Sequence, residues 1–180
     1  MTRLRPAPPL DAERWLNTDE APDLAFLRGQ VVLIEAFQML CPGCVSHGLP
    51  QAKRVHEAFG TVVVLGLHTV FEHHDAQGSE AALRAFLHEY RIGFPVGIDR
   101  QAPDGGVPRT MRAYGMQGTP IQVLIDRRGR VRAQRFGAVP DLRLGADLGV
   151  LLSEDGPDDA DGGGAPLRDG TGCDETGCRA

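Results

Sequence analysis

The 180-residue sequence has few cysteines, one tryptophan, two tyrosines and no run of about twenty apolar residues. Without such a run, a membrane-spanning helix is not expected. Surplus positive charge is missing too. The formal net charge is -5, which argues against a nucleic-acid partner. Neither a dinucleotide fingerprint nor a phosphate-binding loop occurs, so no nucleotide cofactor is expected. The opening MTRLRPAPPLDAERW has basic residues but neither an apolar core nor a small-residue cleavage pattern. It reads as a cytoplasmic start.

The four cysteines are Cys41, Cys44, Cys173 and Cys178. A secreted domain stapled by disulfides usually carries more for its size. Two close pairs, far apart in sequence, read instead as two dithiol units.

Three zones follow one another. Residues 1–30 are rich in proline and then mildly helical, with Trp15, Leu16, Leu24, Phe26 and Leu27 as anchors. Residues 31–152 carry the periodic signals. Residues 153–180 contain eight acidic residues against two arginines, and Leu167 is their only large apolar side chain. Too little surface can be buried there to offset the entropy of ordering it, so a disordered acidic tail is expected.

In the middle zone, VVLIEAF (31–37) reads as a strand buried on both faces. Residues 42–59 carry a helical stripe of Val45, Leu49, Ala52, Val55 and Phe59, with a kink at Pro50 and a stop at Gly60. TVVVLGLHTV (61–70) is a second buried strand. Ser79 is placed to cap a helix bearing Leu83, Phe86, Leu87 and Tyr90. A short strand follows at 94–98 and a short helix at 108–114. Residues 121–137 form a hairpin turning at Asp126–Gly129, and a last helix covers 140–152. The plan is α/β, with a parallel βαβ first half and an antiparallel second half.

Cys41-Pro42-Gly43-Cys44 falls where the first buried strand turns into a helix. There Cys41 faces unpaired backbone N–H groups and the positive end of the helix dipole, which favour thiolate over thiol. Cys44 lies one turn further on and can close a disulfide onto it. Pro42 at the first helical position sacrifices no helical hydrogen bond. Half of a zinc site is the competing reading, with His47 near and His68, His73 and His74 downstream. The gap from Cys44 to His68 is far longer than ordinary zinc-finger spacing. Haem attachment would need histidine where Val45 stands. His56 and His88 are ordinary helix residues.

LIEAFQMLCPGC, followed far downstream by GTPIQVLIDRRGRV, resembles thioredoxin-like proteins of the TlpA/ResA type within the redoxin group. The resemblance covers roughly residues 15–152. It implies a thioredoxin-like domain over 1–152, a central mixed sheet flanked by helices, followed by the tail 153–180. It implies a thiol–disulfide oxidoreductase in which Cys41 attacks a partner disulfide and Cys44 resolves the intermediate. Thr119-Pro120 would be a cis-proline loop facing the cysteines. With Pro42 and Gly43 it would bind the substrate peptide as an added strand. Glu35, inside the first buried strand and six residues before Cys41, would deprotonate Cys44; burial should raise its proton affinity.

Two departures from the family pattern stand out. Leu40 replaces the aromatic that usually precedes the first cysteine. Pro50 follows Cys44 one residue late, which predicts a local bulge or register shift in the helix. His47 stands where an acid is common and reads as a solvated helix residue.

The expected partners are a protein or small-molecule disulfide and a thiol electron donor, with no nucleic acid, no membrane, no bound metal and no cofactor beyond the redox-active cysteine pair. A cytoplasmic setting favours reduction. Cys173 and Cys178 are a candidate relay: the linker 153–172 would span roughly 25 Å as a random coil. Two other functions fit less well. A thiol peroxidase of the redoxin group would need proline and threonine where Ile34 and Gln38 stand. A redox-sensing or metal-carrying adaptor would use both cysteine pairs.

Overall fold

Val31–Phe37 forms β2, and all seven of its residues are buried. It lies inside the sheet, parallel to β3 (Val62–His68) and antiparallel to β5 (Ile121–Ile125). This computed structural model describes residues 4–156. β1 (Ala12–Leu16), β4 (Val96–Asp99) and β6 (Val131–Phe136) complete a mixed sheet in the order β1-β4-β3-β2-β5-β6.

Alternation along β2 sends its side chains to two separate cores. Val31, Leu33 and Phe37 pack with Leu49, Ala52 and Val55 of α1 (Leu49–Ala58), with Leu83 and Leu87 of α3 (Glu80–Glu89), and with Leu144, Leu148 and Leu151 of α5 (Asp141–Ser153). Val32, Ile34 and Ala36 face the other way, onto Met111 and Tyr114 of α4 (Arg109–Tyr114). Glu35 falls between Leu33 and Phe37 on the α1 side.

Local chemistry sets the element ends. Ser79 caps α3 by accepting from Ala82 N–H at 3.1 Å, as its position predicts. α4 begins at Pro108, which has no capping side chain. Buried Asp99 supplies the acceptor instead, taking the N–H groups of Thr110 at 2.8 Å and Met111 at 3.0 Å. In the hairpin turn, Asp126 accepts from the N–H groups of Arg128 and Arg130, and Gly129 takes the left-handed φ of +73°.

The structure corrects the sequence reading in four places. Residues 12–16 form an edge strand antiparallel to β4, not a helical stretch. Phe26 is 87% exposed and anchors nothing, whereas Leu16 and Leu24 are buried. A one-turn helix, α2 (His74–Gln77), precedes α3. The ordered chain also runs past 152: α5 ends at Ser153, and Glu154 pairs with Arg132 of β6. The tail from 157 on, with Cys173 and Cys178, lies outside the described residues. No helix among the described residues is long and apolar enough to cross a membrane.

Candidate active site

β2 ends at Phe37, and four residues later the chain reaches Cys41 at the sheet's carboxyl edge. A helical turn opens at Pro42. From Cys44 to Gly48 it is π-helical, and only then does α1 begin, with Pro50 in its first turn. A π-turn holds one residue more than an α-turn. That extra residue is the register shift which the late proline predicts, and Pro50, with no N–H to donate, falls directly after it in the first turn of α1.

Cys41 is half-buried and Cys44 fully buried, and both are free thiols. The Cys44 N–H donates to Cys41 Sγ at 3.2 Å, and the Cys41 thiol points at the Thr119 carbonyl, 3.5 Å away. The Thr119–Pro120 peptide bond is cis. A Cβ built on Gly43 would stand 3.2 Å from Pro120 Cδ, so glycine lets the proline loop close onto the cysteine turn. Burial, reinforced by the neighbouring Cys41, pushes the Cys44 thiol up to about 12. The two sulfurs thus differ in kind: one is reachable from solvent, the other is enclosed and holds its proton.

Glu35 is fully buried, and among the described residues neither carboxyl oxygen has a hydrogen-bond partner within ordinary distance. Burial raises its proton affinity well above the ordinary carboxyl range. The side chain of Gln122 partly offsets this, and Cys41 adds to it. The carboxyl lies against Gly48 of the π-turn: a Cβ there would collide with Glu35 Oε1 and come within 3.1 Å of Pro120 Cβ. Glu35, Gly48 and Pro120 therefore meet beneath the cysteines.

The expected residues Cys41, Cys44, Glu35, Pro42, Gly43, Thr119 and Pro120 come together in one place. The histidines stay apart. His47 is exposed, its Nδ1 2.7 Å from Ser46 Oγ, and His73 and His74 are exposed on the segment after β3. His68 is buried at the end of β3 with its Nε2 unpartnered, and burial pulls it down to about 4. Among the described residues no three histidines, cysteines or acids are grouped to hold a metal ion.

Four glutamines were missed. Gln77 Oε1 accepts from Leu40 N–H at 3.1 Å, immediately before Cys41, while its amide donates to Gln38 Oε1 at 2.9 Å and to the Glu72 carbonyl at 2.8 Å. Gln122 sits opposite Glu35 on β5 and donates to Gln51 of α1. The available signal was a lone polar residue in an otherwise apolar strand, which marks Gln122 as it marks Glu35. Leu40, 56% exposed, directly precedes Cys41, and Phe136, 67% exposed, packs over Gly118 next to Thr119.

No protein-family profile matches the sequence. The crystal structure of a thioredoxin-like superfamily protein is 56% identical, covers 85% of this chain and 99% of its own, and superposes with a TM-score of 0.82. A thiol-disulfide isomerase from Corynebacterium glutamicum is 48% identical over 83% of this chain and 98% of its own, with a TM-score of 0.77. Protein DipZ of Mycobacterium bovis is 30% identical over 128 residues, 68% of this chain. The chain spans only 17% of the length of DipZ. Its cysteine turn, cis-proline loop and buried acid lie on the same fold as these relatives. The chain belongs to the thioredoxin-like superfamily, among its thiol–disulfide oxidoreductases.

Proposed function

We infer that this chain reduces disulfides of proteins or small molecules through Cys41 and Cys44. The observation that carries the reading is the asymmetry of the pair: Cys41 is reachable and receives the Cys44 N–H, whereas Cys44 is enclosed with its proton held. The Cys41 thiolate attacks one sulfur of the partner disulfide; a Cys41–partner disulfide forms and the other partner sulfur leaves as thiolate. Cys44 passes its proton to Glu35 and attacks Cys41 Sγ. The Cys41–Cys44 disulfide forms, and the second partner sulfur leaves, so the partner gains two electrons. An external thiol donor returns the pair to the dithiol.

Pro42, Gly43, Thr119 and Pro120 form the surface on which an extended partner segment would lie, with the Thr119 carbonyl as an acceptor for its backbone. A cytoplasmic setting, where thiols are kept reduced, suits this direction. Within this reading Cys173 and Cys178 are a second dithiol that exchanges with the first. Reduction of insulin with dithiothreitol as donor tests the assignment. Wild type is expected to accelerate it and Cys41→Ser to fall to background; equal rates for the two proteins would reject it.

A further inference from the structure

Glu35 is a buried acid whose charged form has almost nothing to meet it. Its neighbours explain which group does. On the β3 side its register partner is Gly66, where a Cβ would meet only Val96, Phe94 and Phe37. On the helix side is Gly48. On the β5 side is Gln122. The titratable group that acts on the carboxyl directly is the Cys41 thiol. His47, Arg54 and Asp141 lie across a 240 Å³ cleft that Gly48, Gln51 and Gln122 also wall.

The orientation of the Gln122 amide is fixed from a distance. Gln51 Nε2 donates to the Val139 carbonyl at 2.8 Å and to Asp141 Oδ1 at 2.6 Å. Both acceptors lack hydrogens, so the NH2 end of Gln51 must face them and its oxygen must face Gln122. That oxygen in turn needs a donor, and Gln122 Nε2 supplies it at 2.5 Å. One amide hydrogen of Gln122 is thereby used, and its NH2 end is held toward α1. The second hydrogen is left as the donor available to an ionised Glu35. Arg54 holds the outer end of the chain, 3.1 Å from Asp141 Oδ1.

We propose that Gln122, oriented through Gln51 by Asp141, is a positioning residue that keeps Glu35 able to ionise and so to accept the Cys44 proton. The inference rests on the role of Glu35 in the function above. A buried carboxylate with one amide donor can give up its proton; with none it keeps it. The chain therefore sets the pH at which the resolving step runs.

The test uses the full-length reduced protein and compares wild type, Gln122→Leu and Gln51→Leu. Carbon-13 NMR follows the Glu35 carboxyl as pH is varied. Rapid quenching follows resolution of a Cys41–glutathione mixed disulfide over the same range. In Gln122→Leu the Glu35 midpoint should move to higher pH, and resolution at pH 7 should slow about tenfold per pH unit of that movement. The initial attack by Cys41 on glutathione disulfide should be unchanged. Gln51→Leu, which touches neither Glu35 nor a cysteine, should move both in the same direction by less, and it keeps the test usable if Gln122→Leu does not fold. A Glu35 midpoint unmoved in both variants would overturn the inference. Failure of wild type to reduce any disulfide would instead reject the function, while the NMR titration still reads the effect of Gln122 on Glu35.

Discussion

Glu35 interrupts a strand that is otherwise wholly apolar, and the fold is less stable for it. Its proton affinity in the folded chain is raised by burial above the unfolded value of about 4.3. Such a group leaves stability intact below that value and erodes it as pH rises toward the folded value, because the unfolded chain binds fewer protons there. Glu35→Leu should therefore raise stability at pH 7 by about 1–3 kcal/mol, the cost of an unsatisfied buried polar group. Urea titrations at pH 7 and pH 4 check this: the gain should be smaller at pH 4, where the acid is largely neutral in both folded and unfolded chains and only its unmet hydrogen bonding remains to be removed, while disulfide turnover at pH 7 falls. His68 behaves oppositely. Its folded value near 4 lies below the ordinary 6.5, so its share of stability is lost as pH falls through that interval. At this scale Glu35, Cys41 and Cys44 are legible in the sequence because each is the wrong residue type for its surroundings unless it does chemistry. Gln38 and Gln77 carry no such mark: their partners are 39 residues apart and meet only in the folded chain.

The elements around the site are held by buried amides. Gln77, at the end of α2, fixes the backbone N–H of Leu40 and joins it to Gln38 and to the Glu72 carbonyl. The short segment after β3 is thereby tied to the loop that carries Cys41. Gln77→Leu leaves the Leu40 N–H without its partner and removes a donor from Gln38 Oε1. It should lower the stability measured in urea by about 1–3 kcal/mol and reduce insulin turnover, leaving far-ultraviolet circular dichroism unchanged. The buried strands and amphipathic helices were readable from their periodicity. So was the π-turn, because the spacing from Cys44 to Pro50 exceeds the family pattern by one residue. β1 was not. AERWL has two half-buried residues, two exposed and only Leu16 buried, and its strand conformation comes from pairing with β4, eighty or more residues away in sequence.

Across the whole molecule the sheet order puts β2, with its acid, between β3 and β5, so the cysteine turn and the proline loop meet at one edge. The far end of α5 is fastened to the hairpin: Arg132 bridges Asp126 and Glu154. The helix and its ion pair therefore extend past the 152 boundary that composition suggests, because composition does not register a single ion pair. Cys173 lies seventeen residues beyond Gly156, and in the proposed relay a flexible linker of that length would give the second dithiol an effective concentration of about millimolar. If it serves as a relay, stopped-flow of the pre-reduced protein with glutathione disulfide should show a concentration-independent phase. Cys173→Ser/Cys178→Ser should lack that phase. Identical traces for the two proteins would exclude exchange between the pairs.

The central claim is that Cys41 attacks and Cys44 resolves. Cys44→Ser removes the resolving sulfur and should leave the reaction stalled at the first disulfide. On a Cys173→Ser/Cys178→Ser background, which removes the second dithiol, incubated with oxidised glutathione at pH 7 and read by intact-protein mass spectrometry, Cys44→Ser should accumulate one glutathione adduct, mapped to Cys41 by peptide analysis. Wild type should pass on to the internal disulfide, and Cys41→Ser should carry no adduct at Cys44. An adduct on Cys44 in Cys41→Ser, formed as fast as the one on Cys41, would contradict the assignment of roles.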